Sequence, residues 1–306
     1  MRRYAFTMIE LIFVIVVMGI IGKFGVEFLA QAYKSFIFAN VNHTLQSSSA
    51  TTVEFIASHL QYRIKDSVIV RTDANLTTTP PGFTALSSAV SGTPYTVLEW
   101  IASDIDGFRG YSTPYWSGII DINESTTAIL ESPATDTGQV DLLIQQLSYN
   151  TSTIGDAALY FIGANTDISD YCWDGNALTE QDASAMHPIK KGTKVTQFKP
   201  GTVAGVTDNF SQVTVYEYYK LAWTAYAIAF ENYDDDTNMG DLVFYYNYQP
   251  WQGEKFYDGG NIQSFTLMEN VSTFRAIAIG DIIKIQVCTK SNLVEEYSIC
   301  KEKTIF

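Results

Sequence analysis

Residues 1–22, MRRYAFTMIELIFVIVVMGIIG, decide how the remainder of the chain is read. From Leu11 to Gly22 there is no charge, and over Phe6 to Gly22 only Thr7 and Glu10 interrupt the apolar character. At about 1.5 Å per residue this stretch reaches roughly 25 Å as a helix, slightly short of a hydrocarbon core of about 30 Å. It spans a bilayer, barely. A carboxylate carried to mid-membrane costs on the order of 2.5–3.5 kcal/mol, so Glu10 is the first candidate functional residue and needs a partner.

A secretory signal peptide places its small-residue cleavage site after the apolar core. Here the order is inverted. Ala5 lies ahead of the apolar run, just after the basic Arg2 and Arg3, and no A-x-A-like site immediately follows Gly22. The leader, the small residue and F-T-M-I-E-L together resemble the type IV pilin-like proteins, whose prepilins carry a short basic leader and then F-T-x-I-E-L opening an apolar helix. The resemblance implies that a prepilin peptidase cuts between Ala5 and Phe6 and methylates the new Phe6 amine. It also implies that Glu10 pairs with the Phe6 amine of a neighbouring subunit. A buried ammonium and a buried carboxylate are each expensive alone and cheaper together, which agrees with that picture. Ala5 departs from the Gly usual at that position in the family. The alternative is a plain signal anchor whose Glu10 reaches water at the interface.

Composition bounds the rest. At 306 residues the chain has room for one large domain or two small ones beyond the membrane helix. Charged residues are 17% against about 25% in typical soluble domains, while Tyr, Phe, Thr and Ser are abundant, as in envelope or extracellular β-rich proteins. With Lys+Arg 19 against Asp+Glu 33, the net charge of −14 excludes nucleic acid and anionic lipid as expected partners of the outer domain. Arg2 and Arg3 ahead of the helix hold the N-terminus in the cytoplasm and send the remainder across the membrane.

Between Lys23 and Lys65 there is no Pro, and apolar residues recur at three- and four-residue spacings: Phe24, Phe28, Ala32, Phe36, Ala39, then Val53, Ile56, Leu60 and Ile64. The pattern predicts one amphipathic helix over 23–65, or two collinear ones divided near Ser47 to Thr52. Gly19, Gly22 and Gly25 mark either a place where the helix stretches during assembly or one where helices pack closely. His43 and His59 fall on this helix without a Cys, His or acidic partner at a metal-ligand spacing, and His187 before Pro188 reads as a loop residue.

From Asp66 to about Gly201 short β-type runs (67–71, 118–122, 128–130, 157–162) alternate with Thr/Ser/Pro/Gly stretches, which predicts a sheet with long decorated loops. In SDIDGFRGY, from Ser103, the residues Asp104, Asp106 and Gly107 read as a turn that sends Phe108 and Trp116 into the core. The second half is more regular. Tyr219 to Glu231 reads as a strand, with Asp241 to Tyr248 as its antiparallel partner. The connection NYDDDTNMGD places Asp234, Asp236, Asn238 and Asp241 at spacings that suit a Ca²⁺ loop, although the Gly comes one residue late and no Glu occupies the twelfth position. An acidic solvated turn is the competing reading.

FRAIAI-GD-IIKIQV reads as a hairpin turning at Gly280-Asp281. Counting outward sets Ala278 opposite Ile283, Ala276 opposite Ile285 and Phe274 opposite Val287, an apolar face expected to cover the long helix. Cys288 and Cys300 enclose a short loop and are the preferred disulfide; Cys172 with either is the alternative, and otherwise Cys172 is a buried thiol beside Trp173. The run LMENVSTFR, from Leu267 to Arg275, also resembles the C-terminal region of J-type minor pseudopilins of type II secretion systems and of W-type minor pilins.

The expected fold is α+β, with a long N-terminal membrane-spanning and amphipathic helix packed on a mainly antiparallel head. The expected segments are a leader (1–5), a membrane helix (6–22), its amphipathic continuation (23–65) and a head (66–306) with an irregular insertion at about 75–200. No G-x-S-x-G, H-E-x-x-H, P-loop or dinucleotide fingerprint is present, so no enzymatic activity is expected. The resemblance implies a minor subunit of a type II secretion pseudopilus or type IV pilus in the bacterial inner membrane. Its implied partners are other pilin or pseudopilin subunits, the prepilin peptidase and an inner-membrane assembly platform. The second class is a membrane-tethered binding protein or adhesin whose Trp100, Trp116, Trp173 and Trp251 supply stacking surfaces.

Overall fold

The computed structural model of the chain describes residues 7–72, 82–90, 95–201, 209–291 and 297–306. One helix, α1 (Met8–Leu60), runs unbroken for 53 residues, about 80 Å at about 1.5 Å per residue. The Ser-Thr patch does not divide it. Ser49 stays helical by donating its hydroxyl to the Leu45 carbonyl at 2.7 Å, one turn back, and both Ser49 and Thr52 are buried against the head.

After α1 come β1 (Ile69–Arg71), β2 (Phe83–Ala85) and β3 (Val97–Ile101), then the short helix α2 (Ile105–Arg109). The middle of the chain forms β4 (Asp121–Thr126), β5 (Ile129–Glu131), α3 (Thr137–Leu147), β6 (Ala158–Phe161), β7 (Met186–Lys191), β8 (Gln197–Pro200) and β9 (Tyr219–Ala222). The C-terminal part adds β10 (Ala225–Asp234), β11 (Met239–Tyr248), β12 (Gln263–Ile279), β13 (Ile282–Lys290) and β14 (Ser298–Ile305). The fold is α+β with two antiparallel sheets, one in the order β14-β13-β12-β11-β10-β3-β1-β2 and one in the order β4-β5-β8-β7-β6-β9.

The larger sheet curls around the second half of α1. Val53, Ile56, Ala57 and Leu60 pack on its inner face with Leu98, Ile228, Phe274 and Ile285. The hairpin register is the one counted from Gly280-Asp281, with Ala278 opposite Ile283, Ala276 opposite Ile285 and Phe274 opposite Val287. The opposite face of the same sheet is covered too, because Val97, Ile101, Ala225, Ala227 and Ala229 meet Ala158, Trp173 and Trp251. Burial on both faces explains why β3 reads VLEWI with no alternation. A third core lies between the smaller sheet and α3, around Val140, Ile144, Leu159, Phe161 and Leu221.

Four sequence expectations are corrected here. Phe108 does not enter the core: it is 43% exposed, with its ring against Trp116 at 4.8 Å, and only Trp116 is buried. The stretch 219–231 is two strands in different sheets, because the chain changes sheets at Trp223-Thr224, where the Thr224 carbonyl and hydroxyl accept from Ala102 N and Asn247 N. His187 lies in β7 and is buried, since its neighbours Met186 and Ile189 are core residues of that strand. Finally, α3 is an ordinary amphipathic helix inside the region read as irregular, capped by Asp136, whose carboxylate accepts from Gly138 N and Gln139 N.

Candidate functional site

The N-terminal half of α1 is the most unusual surface of the chain. From Met8 to Phe36 its large apolar side chains are almost all exposed; Phe38 packs its ring 4.8 Å from that of Tyr297 in the head, and the first buried residue of the helix is Val41. This helix is long and apolar enough to cross a membrane, and no residue of its most apolar stretch is buried. Ala5 and Phe6 lie outside the described residues. Glu10 is exposed at the helix start, and its Oε2 accepts from Thr7 N at 3.2 Å and from Thr7 Oγ1 at 3.1 Å. A carboxylate reaching back to the first turn sits where free N–H groups and the helix dipole favour negative charge. Glu10 is thus held locally, within reach of whatever stands at the N-terminal end of the helix.

Beyond Gly22 the helix is two-sided. At about 100° per residue, Lys23, Glu27, Gln31 and Lys34 fall in line with Val41, Leu45, Thr52 and Ile56, the side that meets the head. Lys23 and Glu27 approach to 3.9 Å along that line. Val26, Leu29, Tyr33 and Phe36 fall on the other side, each about two-thirds exposed. Of the row Phe24, Phe28, Ala32, Phe36, the first two still lie in line with Leu60 and Val53, and only Ala32 and Phe36 leave that side. Each step of four residues rotates it by about 40°, so it winds away from the head. The spacing carried this signal, but which side the head takes was not in it.

The other candidate residues make contacts within the head. Asp234 Oδ1 accepts from Asp236 N at 2.9 Å and Oδ2 from Thr237 Oγ1 at 3.0 Å. Asn238 Oδ1 accepts from the Tyr233 hydroxyl and Asp241 Oδ2 from Asn232 Nδ2, both at 3.0 Å. Among the described residues no group of three or more His, Cys, Asp and Glu side chains is placed to hold a metal ion. Cys288 and Cys300 are bonded as opposite residues of β13 and β14, and Cys172 is a buried thiol whose ionisation burial disfavours. His59 lies among Phe55, Tyr226 and Phe244, and burial pulls its pKa down. Trp100, Trp116, Trp173 and Trp251 are all buried and offer no stacking surface to a ligand.

No known protein family matches the chain, and no curated protein or solved structure is significantly similar to it.

Proposed function

We propose that the chain is a non-enzymatic, single-pass subunit of a type IV pilin-like filament, a minor subunit of a type II secretion pseudopilus or type IV pilus. The prepilin peptidase cuts before Phe6, and the helix assembles beside those of neighbouring subunits. One observation carries this reading: the exposed apolar side of α1 between Val26 and Phe36, turned away from the head. Met8 to Phe38 extends about 45 Å as a helix, more than a hydrocarbon core of about 30 Å can cover. A membrane surrounds a helix evenly, whereas a one-sided apolar arc beyond it calls for other helices. Glu10, in the apolar zone, finds its counter-charge in the Phe6 amine of a neighbour.

Mass spectrometry of the mature protein tests the reading. The expected N-terminus is N-methyl-Phe6; a chain starting at Met1, or trimmed beyond Gly22, overturns it. Glu10→Ala is expected to be processed yet to fail to enter filaments. Secretion, twitching and transformation scored in a deletion strain then separate the machines that use such subunits.

A further inference from the structure

Six asparagines of the chain stand in N-x-S/T, the acceptor pattern for an N-linked glycan: Asn42, Asn75, Asn123, Asn150, Asn209 and Asn270. The carboxamide receives the sugar, and the hydroxyl two residues on is what a transferase grips. At four of the five that lie among the described residues, the fold withholds part of the tripeptide. Asn42 lies inside α1, and its side chain accepts from Gln46 Nε2 and from the Tyr297 hydroxyl, both at 2.8 Å. The hydroxyl that follows Asn150 is that of Ser152, which is buried and donates to Asn247 Oδ1 at 2.6 Å. Asn209 and Asn270 are followed by Phe210 and Val271, both core residues.

Asn123 is different. Ile122, Asn123 and Glu124 are all exposed, in β4, an edge strand of the smaller sheet. β4 pairs with β5 at Asp121–Glu131 and Thr126–Ile129, so the four residues between stand opposite one, Leu130, and bow out of the ladder. The main-chain N–H groups of Asn123 and Glu124 turn to Asp121 Oδ1 at 3.0 and 3.3 Å, while the Asn123 carboxamide has no hydrogen-bond partner among the described residues. Ser125 is half-buried, its Oγ donating to the Asp121 carbonyl at 2.6 Å and accepting from Glu131 N at 3.0 Å. Both contacts belong to the short β4–β5 ladder, so fraying of this edge strand frees the hydroxyl without opening a core.

Asp121 completes the pattern. It stands two residues before Asn123, so the stretch reads D-I-N-E-S, and of the other five only Asn75, outside the described residues, has an acid at that place. A carboxylate there offers a transferase an ion pair besides the hydroxyl. The Cys288–Cys300 bond suits an oxidising compartment, the side of the membrane on which lipid-linked glycans are transferred.

We propose that Asn123 carries an N-linked glycan, transferred from an oligosaccharide on a polyprenyl diphosphate. Asn123 Nδ2 attacks the anomeric carbon. The C–N bond forms as the anomeric C–O bond breaks, the diphosphate leaves with the electron pair, and one Nδ2 proton passes to a base of the transferase. The proposal rests on the head lying across the membrane, as in the filament reading, and not on assembly.

The test is glycopeptide mass spectrometry of the full chain purified from its native membranes. The peptide containing Asn123 is expected to carry one oligosaccharide on Nδ2, and those containing Asn42, Asn150, Asn209 and Asn270 none. Asp121→Asn keeps an oxygen for the two N–H groups and removes the charge, so occupancy of Asn123 is expected to fall about tenfold with an unchanged melting midpoint. Asn123→Gln should abolish the modification. A bare Asn123 overturns the proposal, as does equal occupancy in Asp121→Asn or a glycan on any of the four withheld asparagines. The mature N-terminus read from the same sample separates the two readings. N-methyl-Phe6 beside a bare Asn123 fails this proposal alone, and a glycosylated Asn123 on a chain starting at Met1 fails the filament reading alone.

Discussion

Arg63, just past the end of α1, donates from Nη2 to the main-chain carbonyl of Asp281 at 2.5 Å, across 218 residues of sequence. Lys65 adds an ion pair to the carboxylate of the same Asp281 at 2.9 Å. The tip of the β12–β13 hairpin is thereby clamped to the end of the stalk helix, while Phe274, Ile283 and Ile285 of that hairpin cover Ile56 and Leu60. A force drawn along α1 reaches the C-terminal sheet through this contact.

The two halves of the clamp differ in weight. Hydrogen bonds from a charged donor contribute about 1.5–3 kcal/mol each, so Arg63→Ala is expected to destabilise the head by on the order of 3 kcal/mol. Asp281→Ala keeps the carbonyl and removes only an exposed ion pair, so its urea midpoint should match that of the unmodified chain. Tryptophan fluorescence during urea unfolding reads both. Equal losses would place the clamp in the ion pair instead.

Arg71 and Glu99 form an ion pair deep in the head, 3% and 1% exposed. The Tyr248 hydroxyl donates to Glu99 Oε2 at 3.0 Å, and Arg71 Nη2 donates to the Trp173 carbonyl at 3.0 Å. Removing one partner strands a buried charge at about 3–5 kcal/mol, whereas replacing the set with apolar groups of similar volume costs far less. Glu99→Leu is therefore expected to unfold at much lower urea than Arg71→Met/Glu99→Leu. Adding Tyr248→Phe, which removes the donor that lost its acceptor, should bring the midpoint closest to that of the original chain.

Where periodicity is local and one-sided, the sequence was legible: α1 as a Pro-free helical run, although not whether it divides at Ser47 to Thr52, and the Gly280 hairpin down to its residue pairs. Where burial is two-sided, it was not. VLEWI in β3 has no alternation because both its faces are covered, and 219–231 reads as continuous because both of its halves are apolar although they enter different sheets. The helix α3 did announce itself, with Asp136 as cap and Val140 and Ile144 one turn apart, but it lies between Ser/Thr/Pro-rich segments that dominate a window average. The N-x-S pattern at Asn123 is as visible in the sequence as those at Asn150, Asn209 and Asn270, and what separates it, the burial of Ser152, Phe210 and Val271, is tertiary.

Cys288 and Cys300 face each other across β13 and β14, and their bond closes a short loop. Replacing both with Ser is expected to cost about 2–4 kcal/mol. Cys172 is buried and its thiolate is disfavoured by that burial, so the native chain should take up no iodoacetamide. Unfolded without reductant it should gain one label, and with reductant three, since three cysteines contain one disulfide. Intact mass reads the labels, and three labels on the unfolded chain without reductant would mean that the bond is absent.

Asp104 and His187 are buried groups whose preferences oppose one another. Burial pushes the Asp104 carboxyl from 3.8 up to about 6, although Gly107 N and the Trp116 indole donate to it and favour its charged form. Burial pulls His187 from 6.5 down to about 4, although its Nδ1 lies 2.8 Å from the Gln181 carbonyl. The folded chain holds the Asp104 proton more tightly than the unfolded chain does. Its contribution is therefore complete below pH 3.8 and lost as pH rises through about 6. For His187 the folded chain favours the neutral ring, so the contribution is complete above pH 6.5 and lost as pH falls through about 4. Each is worth on the order of 3 kcal/mol, and between pH 4 and 6 the two slopes nearly cancel. Asp104→Asn removes the falling limb, so the unfolding free energy of that variant should climb across this window. His187→Gln removes the rising limb, and its unfolding free energy should decline. Urea titrations at steps of pH read both slopes; an Asp104→Asn profile parallel to that of the unmodified chain would mean that the native carboxyl is already ionised at the acid end of the window.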